Sequence, residues 1–183
     1  LNGMGYEVAV FDKNEAPGGL LRYGIPNFKL HKPIIDRRIR IMEEEGVKFH
    51  MNCDIDVATL PEGYDAYCIC TGTPTARDLN IPGRELEGIH LALEMLSQQN
   101  RILAGAAFTK DKLVSAKGKR VLVIGGGGRE HAIIKKIKQN PNVTEIFALP
   151  GNGGIAVDAT CVPIGAKEID KIVAFAAENA VDY

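Results

Sequence analysis

Two stretches of this chain hold residue types whose spacing can do chemistry. At residues 120–134, "RVLVIGGGGREHAII" carries an apolar strand into four glycines and a helix start. That arrangement aims backbone N–H groups and the positive end of a helix dipole at a phosphate. At residues 6–12, "YEVAVFD" is an alternating and β-branched apolar run closed by Asp12. An acid at such a strand end can hold the hydroxyls of a ribose. Each stretch also has a plainer reading: the glycines can be a tight strand-to-helix turn, and Asp12 an ordinary turn acid.

A dinucleotide fingerprint needs a third glycine, for close packing of helix on strand. Counted from Gly125 that position is Glu130, and counted from Gly126 it is His131. The next apolar run, "EIFALPGN", ends in Leu149, Pro150 and Gly151, with neither an acid for a ribose diol nor an arginine for a 2′-phosphate. The turn at 125–128 therefore suits a phosphate monoester better than a dinucleotide. Asp12 lacks the glycine turn that ought to precede it, since five residues stand before its strand. Cys53, Cys68, Cys70 and Cys161 form no CxxC pair and keep no ligand spacing with His31, His50, His90 or His131, so no metal is expected. Cys68 and Cys70 fall on one face of the run "YDAYCICTG" and read as buried free thiols of a strand.

These residues need elements to position them, and the composition can supply them. Of 183 residues 45% are hydrophobic, enough for one ordinary domain or two small ones. A net charge of −1 gives no general electrostatic case for nucleic acid or an acidic membrane surface. No apolar run approaches roughly 18 residues and no signal-peptide pattern opens the chain, so no membrane is expected and the cytoplasm is the expected location.

The periodicity predicts a buried strand at 6–12, a Gly/Pro-rich loop, and an amphipathic helix from Pro33 to Gly46 with Ile35, Ile39 and Met42 on its apolar side. Arg37, Arg38 and Arg40 on that helix read as a solvated face. A short strand "VKFHM" and the strand "YDAYCICTG" follow. A helix over "LEGIHLALEMLSQQN", with Ile89, Leu93 and Leu96 on one side, leads to a linking segment at 101–118. A strand at 120–124 then opens a second unit. It continues with the helix "REHAIIKKIKQN", whose Ala132, Ile133 and Ile137 face inward, the strand and loop "TEIFALPGNGG", and the helix "AKEIDKIVAFAAEN". Alternating strands and helices predict an α/β fold: two incomplete Rossmann-like parallel-sheet units, truncated at both ends. The strand at 120–124 could also pair beside "YEVAVFD" in a single hybrid sheet.

"EAPGGLLRYGIPNFKL", "IIDRRIRIMEEEGVKF", "YDAYCICTGT", "RDLNIPGRELEGIHLALEML" and "LVSAKGKRVLVIGGG", in that order, resemble the small subunit of glutamate synthase and the related flavin domain of dihydropyrimidine dehydrogenase. The resemblance covers about residues 1–126. It implies a domain that binds FAD and passes electrons from NAD(P)H through the flavin toward iron–sulfur clusters, with an iron–sulfur or large-subunit partner. Residue by residue, it implies that Asp12 holds the adenosine ribose. Gly18, Gly19 and Leu20 would bring backbone close to the flavin and pyrophosphate. Lys29 would contact FAD, and the main chain of Ile55 would meet the adenine. Thr71 and Gly72 match a turn beneath the cofactor, with Cys70 in place of the usual alanine.

"KRVLVIGGGGREHAIIKKI", "ALPGNGGIA" and "CVPIGAKEIDKIVAFAAENAVDY" resemble the N-terminal domain of glycinamide ribonucleotide synthetase, the phosphoribosylamine–glycine ligase of purine biosynthesis. That resemblance covers residues 119–183 and implies a surface for a phosphoribosyl substrate. Its candidate substrate positions are Gly127, Gly128, Arg129, Glu130 and His131, with Pro150, Gly151 and Asn152 of the second loop. ATP and magnesium would belong to the ATP-grasp domains of the complete ligase, and NAD(P)H to the complete oxidoreductase.

"KGKRVLVIGGG" satisfies both families, so the chain changes identity inside a shared motif, as recombination, fusion or mistaken joining of two DNA reads would each produce. The expected organisation is a flavin-oxidoreductase-like segment at 1–118, lacking its first strand and glycine turn, and a synthetase-like segment at 119–183, lacking the ATP-grasp domains. Three functions compete: an oxidoreductase fragment, a ligase fragment, and a non-catalytic hybrid. No catalytic residue is assigned, and the isolated chain is expected to be inactive.

Overall fold

The computed structural model describes residues 1–73, 75–76, 84–109 and 113–182. "RDLNIPG" at 77–83, part of the first resemblance, lies outside the described residues. The chain divides into two compact units, Leu1–Arg77 with Leu96–Ala106, and Asp78–Met95 with Ala107–Tyr183. Each unit carries its own parallel sheet, so β-strands of the two do not join in one hybrid sheet.

In the first unit β1 (Ala9–Phe11) pairs in parallel with β2 (Lys48–His50), and Phe11 stands opposite His50 with their rings stacked at 4.7 Å. The crossover between them holds α1 (Gly19–Tyr23) and α2 (Lys32–Glu44). Pro33 lies in the first turn of α2, where its missing N–H costs no helical hydrogen bond, and Gly46 follows its end at φ 102°. Ile35 is buried, Ile39 and Met42 are half-buried, and Arg37, Arg38 and Arg40 are exposed, as the helical spacing predicts.

Three expectations for this unit need correction. β1 is half-buried rather than buried. "YDAYCICTG" forms no strand: residues 66–73 belong to no helix or ladder, and Cys68 and Cys70 are exposed. The β-branched and aromatic content is there, but a buried strand needs neighbours on both sides, and this sheet has two strands among the described residues. The third correction concerns α3 (Ala92–Leu103), which starts later and ends later than its apolar pattern suggests. Ile89 precedes it and is 47% exposed, while the residue α3 buries is polar, Asn100.

In the second unit β3 (Arg120–Gly125), β4 (Glu145–Pro150) and β5 (Thr160–Cys161) form a parallel sheet in that order. α4 (Gly128–Lys138) connects β3 to β4, and α5 (Ile169–Glu178) follows β5. β4 is buried from Ile146 to Leu149, as a continuous apolar run in a parallel sheet should be. Strand alternation sends Phe147 and Leu149 to one face, where they pack with Ile172 and Phe175 of α5. The Phe147 and Phe175 rings meet edge to face at 5.1 Å. α4 buries Ala132, Ile133 and Ile137 as predicted, and also Ile134, which is fully enclosed. After α5 the chain returns to β3: Asp182 N–H donates to Arg120 O at 3.0 Å, and its carboxylate accepts Arg120 N–H at 2.8 Å.

Candidate functional site

In open parallel sheets ligands bind beyond the carboxyl ends of the strands, and the second unit brings both of its predicted loops together there. β3 ends at Gly125, the turn passes through Gly126 and Gly127, and α4 starts at Gly128. The loop after β4 closes over it. Asn152 Nδ2 donates to Gly126 O at 2.6 Å, Asn152 Oδ1 accepts Ile155 N–H at 2.9 Å, and Gly151 N–H reaches Gly125 O at 3.3 Å. The loops touch so closely that a Cβ on Gly126 would lie 2.5 Å from Gly151 O. Gly151 itself adopts φ 71° against Cys161. Pro150 ends β4 and is joined to Leu149 by a cis peptide bond.

The glycine turn is not an open phosphate cradle. The Glu130 side chain folds back over it, so that a Cβ on Gly127 would sit 2.6 Å from Glu130 Oε2 and one on Gly125 2.7 Å from Glu130 Cγ. A carboxylate there repels an anion, yet it accepts hydrogen bonds from hydroxyls. Arg129 is exposed on the first turn of the helix. His131 is turned to Asp158, with Nε2 2.9 Å from Oδ2, and Lys138 Nζ lies 3.0 Å from the other carboxylate oxygen. The hydrogen bond from His131, then that from Lys138, holds the Asp158 carboxyl below its usual range. Asp158 approaches the loop only through the fold, so no spacing in the sequence points to it, and Cys161, read from the sequence only as a cysteine without ligand spacing, meets Gly151 in the same way. On the far side of the His131–Asp158–Lys138 contact, Asp158 and Lys138 also line an open hollow of about 420 Å³ with Glu145, Ile146 and Thr160.

In the first unit Asp12 stands at the end of β1, and Oδ1 accepts both Asn14 N–H (2.9 Å) and Asn14 Nδ2 (2.8 Å). This is a local side-chain turn, and it occupies one carboxylate oxygen. Cys53 N–H donates to Asp12 O and Asn52 N–H to Asn14 O, which brings the segment leading to Ile55 beside the strand end. Gly18 and Gly19 have φ 126° and 49°, a region that side chains rarely adopt, and a Cβ on Gly18 would press on Ile35. Leu20 and Lys29 are exposed, with Lys29 N–H bonded to Pro26 O. Thr71 and Gly72 are exposed too, and no hydrogen bond among the described residues ties them to Asp12 or the glycine pair.

What holds the glycine segment in place is a set of polar residues not singled out from the sequence. Asn100 Nδ2 donates to Tyr23 O (2.9 Å) and Ile25 O (3.0 Å), and Lys32 Nζ to Leu21 O (3.0 Å) and Ile25 O (2.6 Å). These donors cap the carbonyls left free where α1 stops. Tyr23 is buried with its hydroxyl on Ala16 N–H and O, and burial raises its pKa. Arg101 covers its ring at 4.4 Å and pairs with Glu15 at 2.9 Å. Asn100 did leave a signal: it continues the helical face of Leu93 and Leu96, where an apolar residue is expected.

Comparison with known proteins finds two different relations along the chain, and their border does not coincide with that of the two compact units. Residues 119–183 match the family model "Phosphoribosylglycinamide synthetase, N domain". A different relation covers most of the rest. Over 131 residues, 69% of this chain, it is 43% identical to the glutamate synthase [NADPH] small chain of Bacillus subtilis. Over 133 residues it is 41% identical to the glutamate synthase [NADH] of Schizosaccharomyces pombe. Two resemblances stand in one chain. The chain spans 27% of the length of the bacterial relative and 6% of the fungal one. A mutant form of FprA from Mycobacterium tuberculosis shares the fold, with a TM-score of 0.59 at 22% identity, over 78% of this chain and 36% of that one. Among the described residues no helix is long and apolar enough to cross a membrane.

Proposed function

We propose that residues 1–118 are an FAD-binding segment of an NAD(P)H oxidoreductase of the glutamate synthase small-chain type. The observation that carries this is the 43% identity over 131 residues. Two features of the geometry support this reading. Asp12 engages Asn14 through Oδ1 alone, which leaves Oδ2 to accept a ribose hydroxyl. Gly18 and Gly19 hold a backbone that L side chains rarely adopt, at the start of α1, whose other end Asn100 and Lys32 cap. FAD would supply two-electron chemistry between a nicotinamide and an electron acceptor, such as an iron–sulfur protein or a large subunit. The chain's own part is to bind: Asp12 orients the ribose, and Asn100 with Lys32 fixes the loop that approaches the flavin. Flavin absorbance retained through desalting, saturable on titration and weakened at least tenfold by Asp12→Ala, is the expected result. Titration without saturation, or an Asp12→Ala chain that binds as well, would refute it.

A second reading rests on the family match at 119–183. Here the paired loops 125–131 and 150–152 hold a phosphoribosyl group, with Glu130, which covers the glycine turn, accepting from sugar hydroxyls and the exposed Arg129 meeting the phosphate. Neither segment is assigned a complete reaction. The two belong to different enzyme types, and their meeting in one chain is read as a fusion at the shared strand-and-glycine motif. Ribose 5-phosphate should raise the melting temperature where NAD and NADP do not.

A further inference from the structure

Cys68 and Cys70 carry a chemistry that neither reading uses. Their sulfurs lie 3.5 Å apart. Both thiols are exposed, and residues 66–73 belong to no strand ladder, so no sheet partner resists a small shift of the chain. A disulfide needs the sulfurs to close to about 2.05 Å. We propose that Cys68 and Cys70 form a redox-active dithiol that closes reversibly to a CXC disulfide, with a low-molecular-weight disulfide such as oxidised glutathione as oxidant.

The hydrogen bond and charge of Cys68 raise the pKa of the Cys70 thiol, and either exposed sulfur can begin the exchange, which runs the same way from each. The Cys68 thiolate attacks one glutathione sulfur, forming a mixed disulfide and releasing one glutathione. Cys70 then loses its proton and attacks the Cys68 sulfur, releasing the second glutathione. Two protein thiols are oxidised by two electrons, one oxidised glutathione is reduced to two thiols, and the two protons end on glutathione. The ring formed is small and exposed, properties of labile rather than structural disulfides. This inference goes beyond the flavin reading and is tested without flavin.

The test uses the full chain, equilibrated with mixtures of reduced and oxidised glutathione, quenched in acid and alkylated. Cleavage at Asp65 and Asp78 separates the pair from Cys53. The alkylatable thiols should fall from four to two, with the Cys68–Cys70 peptide lacking two hydrogens and carrying no glutathione. Cys68→Ser and Cys70→Ser should each leave one stable glutathione adduct at the remaining cysteine. A wild-type peptide that carries glutathione, stays fully alkylatable under the most oxidising mixture, or links to Cys53 or Cys161 overturns the proposal.

Discussion

Replacing Asn100 should loosen the glycine segment without touching any residue assigned to the cofactor. Asn100 is 5% exposed and its amide donates to two carbonyls. In Asn100→Leu, Ile25 O keeps Lys32 as a partner, so that loss is one ordinary hydrogen bond, about 1 kcal/mol. Tyr23 O is left without this donor in a buried place, at about 2 kcal/mol. Leucine is the better helix former and returns about 0.4 kcal/mol. The net expectation is a loss of about 2.5 kcal/mol, read from urea unfolding with an unchanged slope. Asn100→Asp should cost more at neutral pH, because a carboxylate then faces two carbonyls. Its folded-state pKa would be raised, so stability is fully present below the unfolded value, about 3.9, and is lost as pH rises through the folded value. A loss below about 0.5 kcal/mol in Asn100→Leu, or an Asn100→Asp chain that gains stability as pH rises above 4, would refute this account of α1.

Glu130→Gln should bind inorganic phosphate about fivefold more tightly, equivalent to ~1 kcal/mol, while ribose 5-phosphate gains less or loses; isothermal titration separates the two, and equal gains would remove the sugar-hydroxyl role. Asp158 has its pKa lowered in the fold, so its contribution is present above about pH 3.9 and lost as pH falls through the folded value. Asp158→Asn should therefore flatten the acid limb of the stability curve. Gly126→Ala drives a Cβ toward Gly151 O and should destabilise the second unit by about 1–3 kcal/mol, measured by thermal unfolding. Tyr23→Phe removes the hydroxyl from Ala16 and should cost about 1–2 kcal/mol, while the wild-type tyrosine ionises above its ordinary value in a spectrophotometric titration.

The sequence was most legible where structure is local. α4 and β4 follow directly from apolar spacing, and the two loops of the second unit meet because adjacent parallel strands end side by side. α2 was equally plain, from Pro33 to Gly46. The errors came where burial depends on distant partners. "YDAYCICTG" has strand composition, but composition cannot say whether a ladder neighbour exists. Asn100 sits 75 residues from Ile25, whose carbonyl it caps, and no local pattern encodes that contact. Glu130 occupies a position that fails the dinucleotide fingerprint, yet only the folded turn reveals that its side chain covers the glycines.

The central claim is that two ligand chemistries reside in two separate parts of this chain. Amide hydrogen exchange on the full chain, with FAD or ribose 5-phosphate added in turn, tests it most directly. FAD should slow exchange around residues 12–20, 55 and 71–72 and leave 125–131 unchanged, while ribose 5-phosphate should slow 125–131 and 151–155 alone. Protection of the glycine turn at 125–128 by FAD, or no protection of the first unit at saturating flavin, would contradict the account.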